Sequence, residues 1–201
     1  MTNTTLLNLP MPITTSRLLL RPPQIGDGAI VNAAIVESFN ELRQFMPWAQ
    51  VLPTVDQTEE YVRQAAANWI VKKNEEPYLP LLIFDRQIGE LIGNTGFHHF
   101  DWDIPCLETG YWLRTSRTGQ GLMTEAVNAQ TRYAFEQLKV KRIAITCDTA
   151  NVRSKNIPER LGFQLEGTLK NNRLTVDGSV SDTLVFARYN LDGLPPLEIQ
   201  Y

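Results

Sequence analysis

A pair of glycines one residue apart, Gly119-Gln120-Gly121, constrains this chain more than any other feature. It stands between a strand-like run (Glu108–Arg114) and an amphipathic helical run. Helices start firmly on Ser, Thr, Asp or Asn, so glycines at this place point to a use for the missing Cβ. A helix N-terminus exposes unpaired N–H groups and the positive end of the macrodipole, and so attracts anions. Without Cβ atoms the turn can take positive φ, and a phosphate can approach the main chain closely. Arg117 places a positive charge beside it. The segment reads as a diphosphate cradle or as a plain turn from strand to helix, and two phosphate motifs are excluded. The P-loop requires Lys then Ser or Thr after the second glycine, where Leu122-Met123 stand, and the dinucleotide fingerprint requires a third glycine, where Thr124 stands.

The rest of the chain frames that turn. Ser16–Arg21 reads as a strand stopped by Pro22-Pro23. A helical run follows Gly26-Asp27 through Glu37, and a second runs to Lys73 with Asp56 or Thr58 as its cap. Between them, Phe45–Pro53 is apolar but broken by prolines and suggests a half-buried loop. Tyr78–Asp85, Gln87–Phe100 and Leu107–Arg114 read as strands. A helix over about Gln120–Leu138, a strand at Arg142–Asp148 and a helix over Ser154–Leu161 ended by Gly162 come next. Two strands, Phe163–Lys170 and Ser179–Tyr189, flank an Asp177-Gly178 turn. The order implies an α/β layered fold with a mostly antiparallel sheet and helices on both faces. We read residues 1–201 as one domain, with about the first 12 residues as a loosely packed extension.

Composition narrows the function classes. A net charge of −3 argues against a nucleic-acid or anionic-membrane binder. Cys106 and Cys147 are too few and too far apart for a disulfide framework, and no apolar run approaches a membrane span, so a cytoplasmic location is expected. His98-His99 invites a metal reading, but neighbours on a regular strand point to opposite faces and cannot share one ion. No metal is therefore expected.

Read together, "ETGYWLR", "GQGLMTEA" and "NVRSKNIPERLGFQLEGTLK" resemble the GNAT superfamily of acetyl-coenzyme A-dependent N-acetyltransferases, and within it the RimJ/RimL-type group. "RLLLRP" and "LTVDGSVSD" extend the likeness over nearly the whole chain. The resemblance implies a mixed sheet with two splayed central strands and acetyl-CoA as cosubstrate, its pantetheine lying in the gap. It implies that Arg117, Thr118, Gly119, Gln120, Gly121 and Leu122 hold the diphosphate through their main chain. Ser116 stands where the common superfamily pattern has Gln or Arg. The resemblance further implies that Asn151 bonds the pantetheine, that Ser154 returns a proton to the departing thiolate, and that a main-chain N–H near Leu113 steadies the oxyanion. Asn151 and Ser154 also read as helix-capping residues, and Glu125 of "TEA" as helix stabilisation.

Acetyl transfer needs a neutral amine, and an α-amine with a pKa of about 8 is far less protonated at neutral pH than lysine at about 10.4. Glu108, on the strand entering the glycine turn, is the acidic candidate for taking a proton through water. Some RimL-like sequences carry a glutamate after the "LEGTLK" strand, where this chain has Arg173. Tyr111 reads as cleft wall or core, and Trp48, Trp69 and the Phe45–Pro53 loop as core or acceptor cleft. The expected reaction is direct attack in a ternary complex by a protein N-terminal α-amine. A small amine such as a polyamine, amino acid or aminoglycoside is the alternative acceptor, and a non-catalytic acyl-CoA sensor the alternative class. Monomer and homodimer both remain open.

Overall fold

The computed structural model describes residues 4–72 and 78–201. Among these residues eight strands form one sheet in the order β1-β2-β3-β4-β5-β6-β8-β7. They are β1 (Ile13–Thr14), β2 (Leu18–Arg21), β3 (Leu79–Asp85), β4 (Leu91–Asp101), β5 (Cys106–Leu113), β6 (Arg142–Asp148), β7 (Gln164–Leu174) and β8 (Val180–Arg188). Neighbours are antiparallel except β5 and β6, which are parallel. The sequence-based order holds, with the two-residue β1 added at the edge.

Among the described residues four α-helices cover the sheet: α1 (Gly28–Leu42), α2 (Val55–Val71), α3 (Leu122–Glu136) and α4 (Val152–Arg160). Strand alternation sorts the apolar residues between two layers. On β3, Leu79, Leu81 and Ile83 join a core with Ala126, Tyr133 and Ile157, while Leu82 and Phe84 face Val31, Ile35 and Val62 of α1 and α2. Burial on both faces explains why "LPLLIFD" is continuously apolar.

Several boundaries differ from the sequence reading for identifiable reasons. The cap of α2 is Thr54, not Asp56 or Thr58: its hydroxyl accepts from the Gln57 N–H at 3.2 Å, and the Gln57 side chain accepts from the Thr54 N–H at 2.9 Å. Such a reciprocal capping box contributes about 1 kcal/mol. This helix ends at Val71 with Lys72 left-handed, and Lys73 lies outside the described residues. The first helix continues past Glu37 to Leu42 because Ser38 and Leu42 stay on its buried stripe. Asn151, three residues before Ser154, caps α4. Within Phe45–Pro53, Pro47–Gln50 form a short 3-10 turn. No helix among the described residues is long and apolar enough to cross a membrane.

Candidate active site

The parallel pair at the sheet centre opens. β5 and β6 are in register at Cys106 with Arg142, Leu107 with Ile143 and Glu108 with Ala144, and there the pairing stops. β5 continues to Leu113 against β4, and β6 continues to Asp148 against β8. Two facing strand edges inside one sheet therefore carry main-chain groups that are not bonded to each other, a condition that calls for a partner. The Arg114 N–H donates to Ile92 O on β4 at 2.8 Å. By strand alternation the N–H groups of Leu113 and Tyr111 point the other way, into the gap.

The end of β5 leads into the glycine turn, and α1 holds that turn in place. The Thr115 N–H donates to Ser38 Oγ and the Ser116 N–H to Glu37 Oε1, both at 3.0 Å. Gly119 and Gly121 take φ of 77° and 73°, the left-handed region where side chains are strained. A Cβ on Gly119 would meet nothing within 4 Å, so its conformation alone selects glycine. The amides of Gly119, Gln120 and Gly121 take no acceptor among the described residues, and Gly121 serves as the N-cap of α3.

The arginine beside the turn departs from expectation. The Arg117 guanidinium turns away from the glycines to pair with Asp85, and it lies 3.5 Å from Glu90. Its charge is thus held at the β3–β4 turn, and its N–H donates to Arg114 O at 3.0 Å, as the Thr118 N–H does to Thr115 O at 3.2 Å. The cation at the cradle is Arg17, whose Nη1 donates to Gln120 O at 3.1 Å and whose Nε donates to Glu125 Oε2 at 2.6 Å. Thr15 Oγ1 also donates to Glu125 at 2.5 Å. Glu125 therefore ties α3 to the β1–β2 turn. Nothing local marks Arg17, because the contact spans more than 100 residues.

A cavity of about 870 Å³ occupies the gap and extends between the sheet and the α1–α2 layer. From the α4 side it is lined by Asn151 and Ser154, joined by Tyr111, Thr109 and Cys147. Asn151 Oδ1 accepts from the Ser154 N–H at 3.1 Å, so Asn151 caps the helix while Ser154 sits in its first turn with its hydroxyl free of that duty. Tyr111 donates to Ser154 O at 3.0 Å, and Ser154 Oγ lies 3.4 Å from the same phenol oxygen. Burial pushes the Tyr111 phenol and the Cys147 thiol upward, so both stay protonated at neutral pH. Behind β5, Thr95 and Thr109 donate to buried Gln130 Oε1 at 2.5 and 2.9 Å, fixing the strand against α3.

The other wall carries Trp48, Trp112, Tyr61, Tyr78, Asn94, His98 and His99. The Tyr61 and Tyr78 hydroxyls meet at 2.9 Å. Trp48 and Trp112 are thus cleft residues, whereas Trp69 is buried, donating to Pro80 O at 2.6 Å. Arg173 also lines the cavity, 3.7 Å from Asp148. Glu108 does not line it; it lies on the neighbouring surface, 3.4 Å from His99 Nδ1.

The histidines correct the sequence reading most sharply. A bulge interrupts the β4–β5 register after His98, and His99 takes φ of 50°. The pleat that would send the two side chains to opposite faces is broken there, and the rings meet edge to face with centroids 4.7 Å apart. Ligating atoms of His98, His99 and Glu108 all lie within 4.8 Å of one another.

Comparison with known proteins agrees with this architecture. YdaF of Bacillus subtilis is 34% identical over 106 residues, a match spanning 53% of this chain and 56% of that protein. The [Ribosomal protein uS5]-alanine N-acetyltransferase of Escherichia coli is 29% identical over 190 residues, covering 91% of this chain and 93% of the relative. Among solved structures, RimL, a ribosomal L7/L12 α-N-protein acetyltransferase in complex with coenzyme A, superimposes with a TM-score of 0.78 at 23% identity, over 88% of this chain and 96% of that one. The family model described as Acetyltransferase (GNAT) domain matches residues 17–164, so the chain belongs to the GNAT acetyltransferase family.

Proposed function

We propose that this chain transfers the acetyl group of acetyl-CoA to a primary amine by direct attack in a ternary complex, with a protein N-terminal α-amine as acceptor. The observation that carries the reading is the parting of β5 and β6 after Glu108 and Ala144, which leaves unpaired strand edges where a pantetheine can add. The diphosphate would rest on the 117–122 turn through the free N–H groups of Gly119, Gln120 and Gly121 at the start of α3, the Arg117 and Thr118 amides being bonded to Arg114 O and Thr115 O. Asn151 keeps its amide nitrogen for the pantetheine while its oxygen caps α4.

In this arrangement the thioester carbonyl lies against β5, and the N–H near Leu113 receives the developing oxyanion. Fixed main-chain donors suit that task because they need no reorganisation as charge appears. The amine enters from the α1–α2 side and the sulfur leaves on the α4 side, where the Ser154 hydroxyl hands a proton to the thiolate. Glu108 supplies negative charge beside the entry wall.

The acceptor preference rests on the cavity wall. Among the described lining residues Asp148 is the one carboxylate, and it already accepts from Ala150 N–H at 2.8 Å and Ser181 Oγ at 3.0 Å. Arg173 adds a cation nearby. Polycationic amines such as polyamines and aminoglycosides find little to attract them there. A peptide N-terminus with an apolar or ringed residue meets Trp48, Trp112 and the tyrosine pair. The relative named [Ribosomal protein uS5]-alanine N-acetyltransferase supports the same reading, and the activity is proposed to be cytoplasmic.

The test is a thiol-release assay with acetyl-CoA over N-terminal peptides and small amines. Release with peptides and not with polyamines is expected. Tight acetyl-CoA binding without release for any amine would replace the transferase with a sensor.

A further inference from the structure

We propose that His98 is the group that takes the proton from the attacking amine, with His99 and Glu108 as its positioning residues. This deepens the transferase reading and rests on it. Neutral-amine attack on a thioester releases one N–H proton, so the acceptor side of the gap needs a proton acceptor. Glu108, the sequence candidate, does not line the cavity, while His98 does.

His98 is placed for the task by register. It stands opposite Glu108 on the neighbouring strand, and its Nε2 lies 3.2 Å from where a Cβ on Gly110 would be. Gly110 therefore gives the imidazole its seat. Strand alternation puts His98, Asn94, Gly110 and Trp112 on the face that carries α1 and α2, where Trp112 packs against the α1 cluster. The next residue of β5, Tyr111, is the one that meets Ser154. The imidazole thus flanks β5 on the amine's side, one position from the residue that bonds the thiol side.

The surroundings of the ring set its protonation through opposing effects. Burial, then the adjacent His99, hold His98 below the ordinary histidine range, and Glu108 opposes them. The ring is thereby neutral and able to accept a proton at pH 7, and the Glu108 carboxylate steadies the imidazolium once formed. His99, left-handed and exposed, bridges the two at 4.7 Å from the His98 ring and 3.4 Å from Glu108. A bulge that turns a side chain toward a cleft is a recurring device near active sites.

The step balances. The amine nitrogen's lone pair forms the C–N bond, and the C–S bond breaks with its pair on the coenzyme sulfur. The N–H proton passes to His98 and then to water. Ser154 gives its proton to the thiolate and is reprotonated from water.

The experiment compares wild type, His98→Ala and His98→Gln. Acetyl-CoA affinity is measured by calorimetry and turnover by thiol release, with and without added imidazole. Wild-type release from the peptide panel tests the transferase reading first and independently of His98. Expected for both variants is a kcat loss of about a hundredfold with unchanged acetyl-CoA affinity. Free imidazole restores turnover to His98→Ala in a saturable manner. Near-wild-type kcat in either variant, or a loss in His98→Ala that imidazole leaves untouched, overturns the assignment.

Discussion

Tyr111 and Ser154 hold each other across the open end of the β5–β6 gap: the phenol donates to the Ser154 carbonyl at 3.0 Å, and Ser154 Oγ lies 3.4 Å from the same oxygen. The contact pins the first turn of α4 to a strand that has lost its neighbour, and it fixes where the serine hydroxyl points.

Ser154→Ala is expected to lower kcat by about tenfold to a hundredfold while leaving acetyl-CoA affinity unchanged. Because Asn151 makes the cap, thermal stability should shift by no more than about 0.5 kcal/mol. Steady-state kinetics beside a melting curve check this. A stability loss without a kinetic one would reduce Ser154 to a structural residue.

Asn151 allows capping and cofactor binding to be separated. Asn151→Ala removes the acceptor for the Ser154 N–H and should cost about 1 kcal/mol of stability. Asn151→Asp keeps a capping oxygen and deletes the amide donor, so its stability should hold while coenzyme A binding weakens. Denaturant melts and calorimetric titration of both variants decide whether the side chain serves both duties.

Gly121→Val forces a β-branched residue to φ of 73°, a strain of about 1–3 kcal/mol, and places its Cβ 3.9 Å from Arg17 Nη2. Coenzyme A affinity should fall at least about tenfold, the equivalent of 1.4 kcal/mol. Gly119→Ala, strained but with open space around it, should lose less. Equal affinity in Gly121→Val and wild type would argue that no diphosphate sits on this turn.

Acid stability should depend on Asp27. Burial raises its carboxyl, but hydrogen bonds from Arg21 at 2.7 and 2.8 Å and from the Gln24 N–H outweigh it and hold the pKa below the usual range. A depressed folded pKa contributes stability that is complete above the unfolded value of about 3.9 and is lost as pH falls through the folded one. The melting temperature should therefore stay level down to about pH 4 and decline below it. Asp27→Asn should melt lower at neutral pH and show a shallower acid decline. Melts across that range, by circular dichroism, supply the comparison.

Much of the scaffold was legible because its signals are local. The strand at Arg142–Asp148 matches residue for residue, since a short apolar run between polar neighbours leaves little choice. Boundaries slipped where a cap lay outside the apolar pattern, as at Thr54 for α2. Asn151 and Ser154 were legible as a pair, yet residue type alone does not say which of them caps α4; in the fold it is Asn151, whose Oδ1 accepts from the Ser154 N–H.

The sequence by itself determined the glycine turn, the helix it opens and the order of strands, because φ preference, capping and periodicity act over a few residues. Tertiary structure decided which charges neutralise one another. Arg117 is drawn away by Asp85, and Arg17 reaches the turn from more than 100 residues off. It also decided that His98 and His99 share a wall, because a bulge set by pairing with β5 breaks the alternation that the isolated strand would follow. Coulomb attraction and strand register depend on distance in space, which a one-dimensional pattern does not carry.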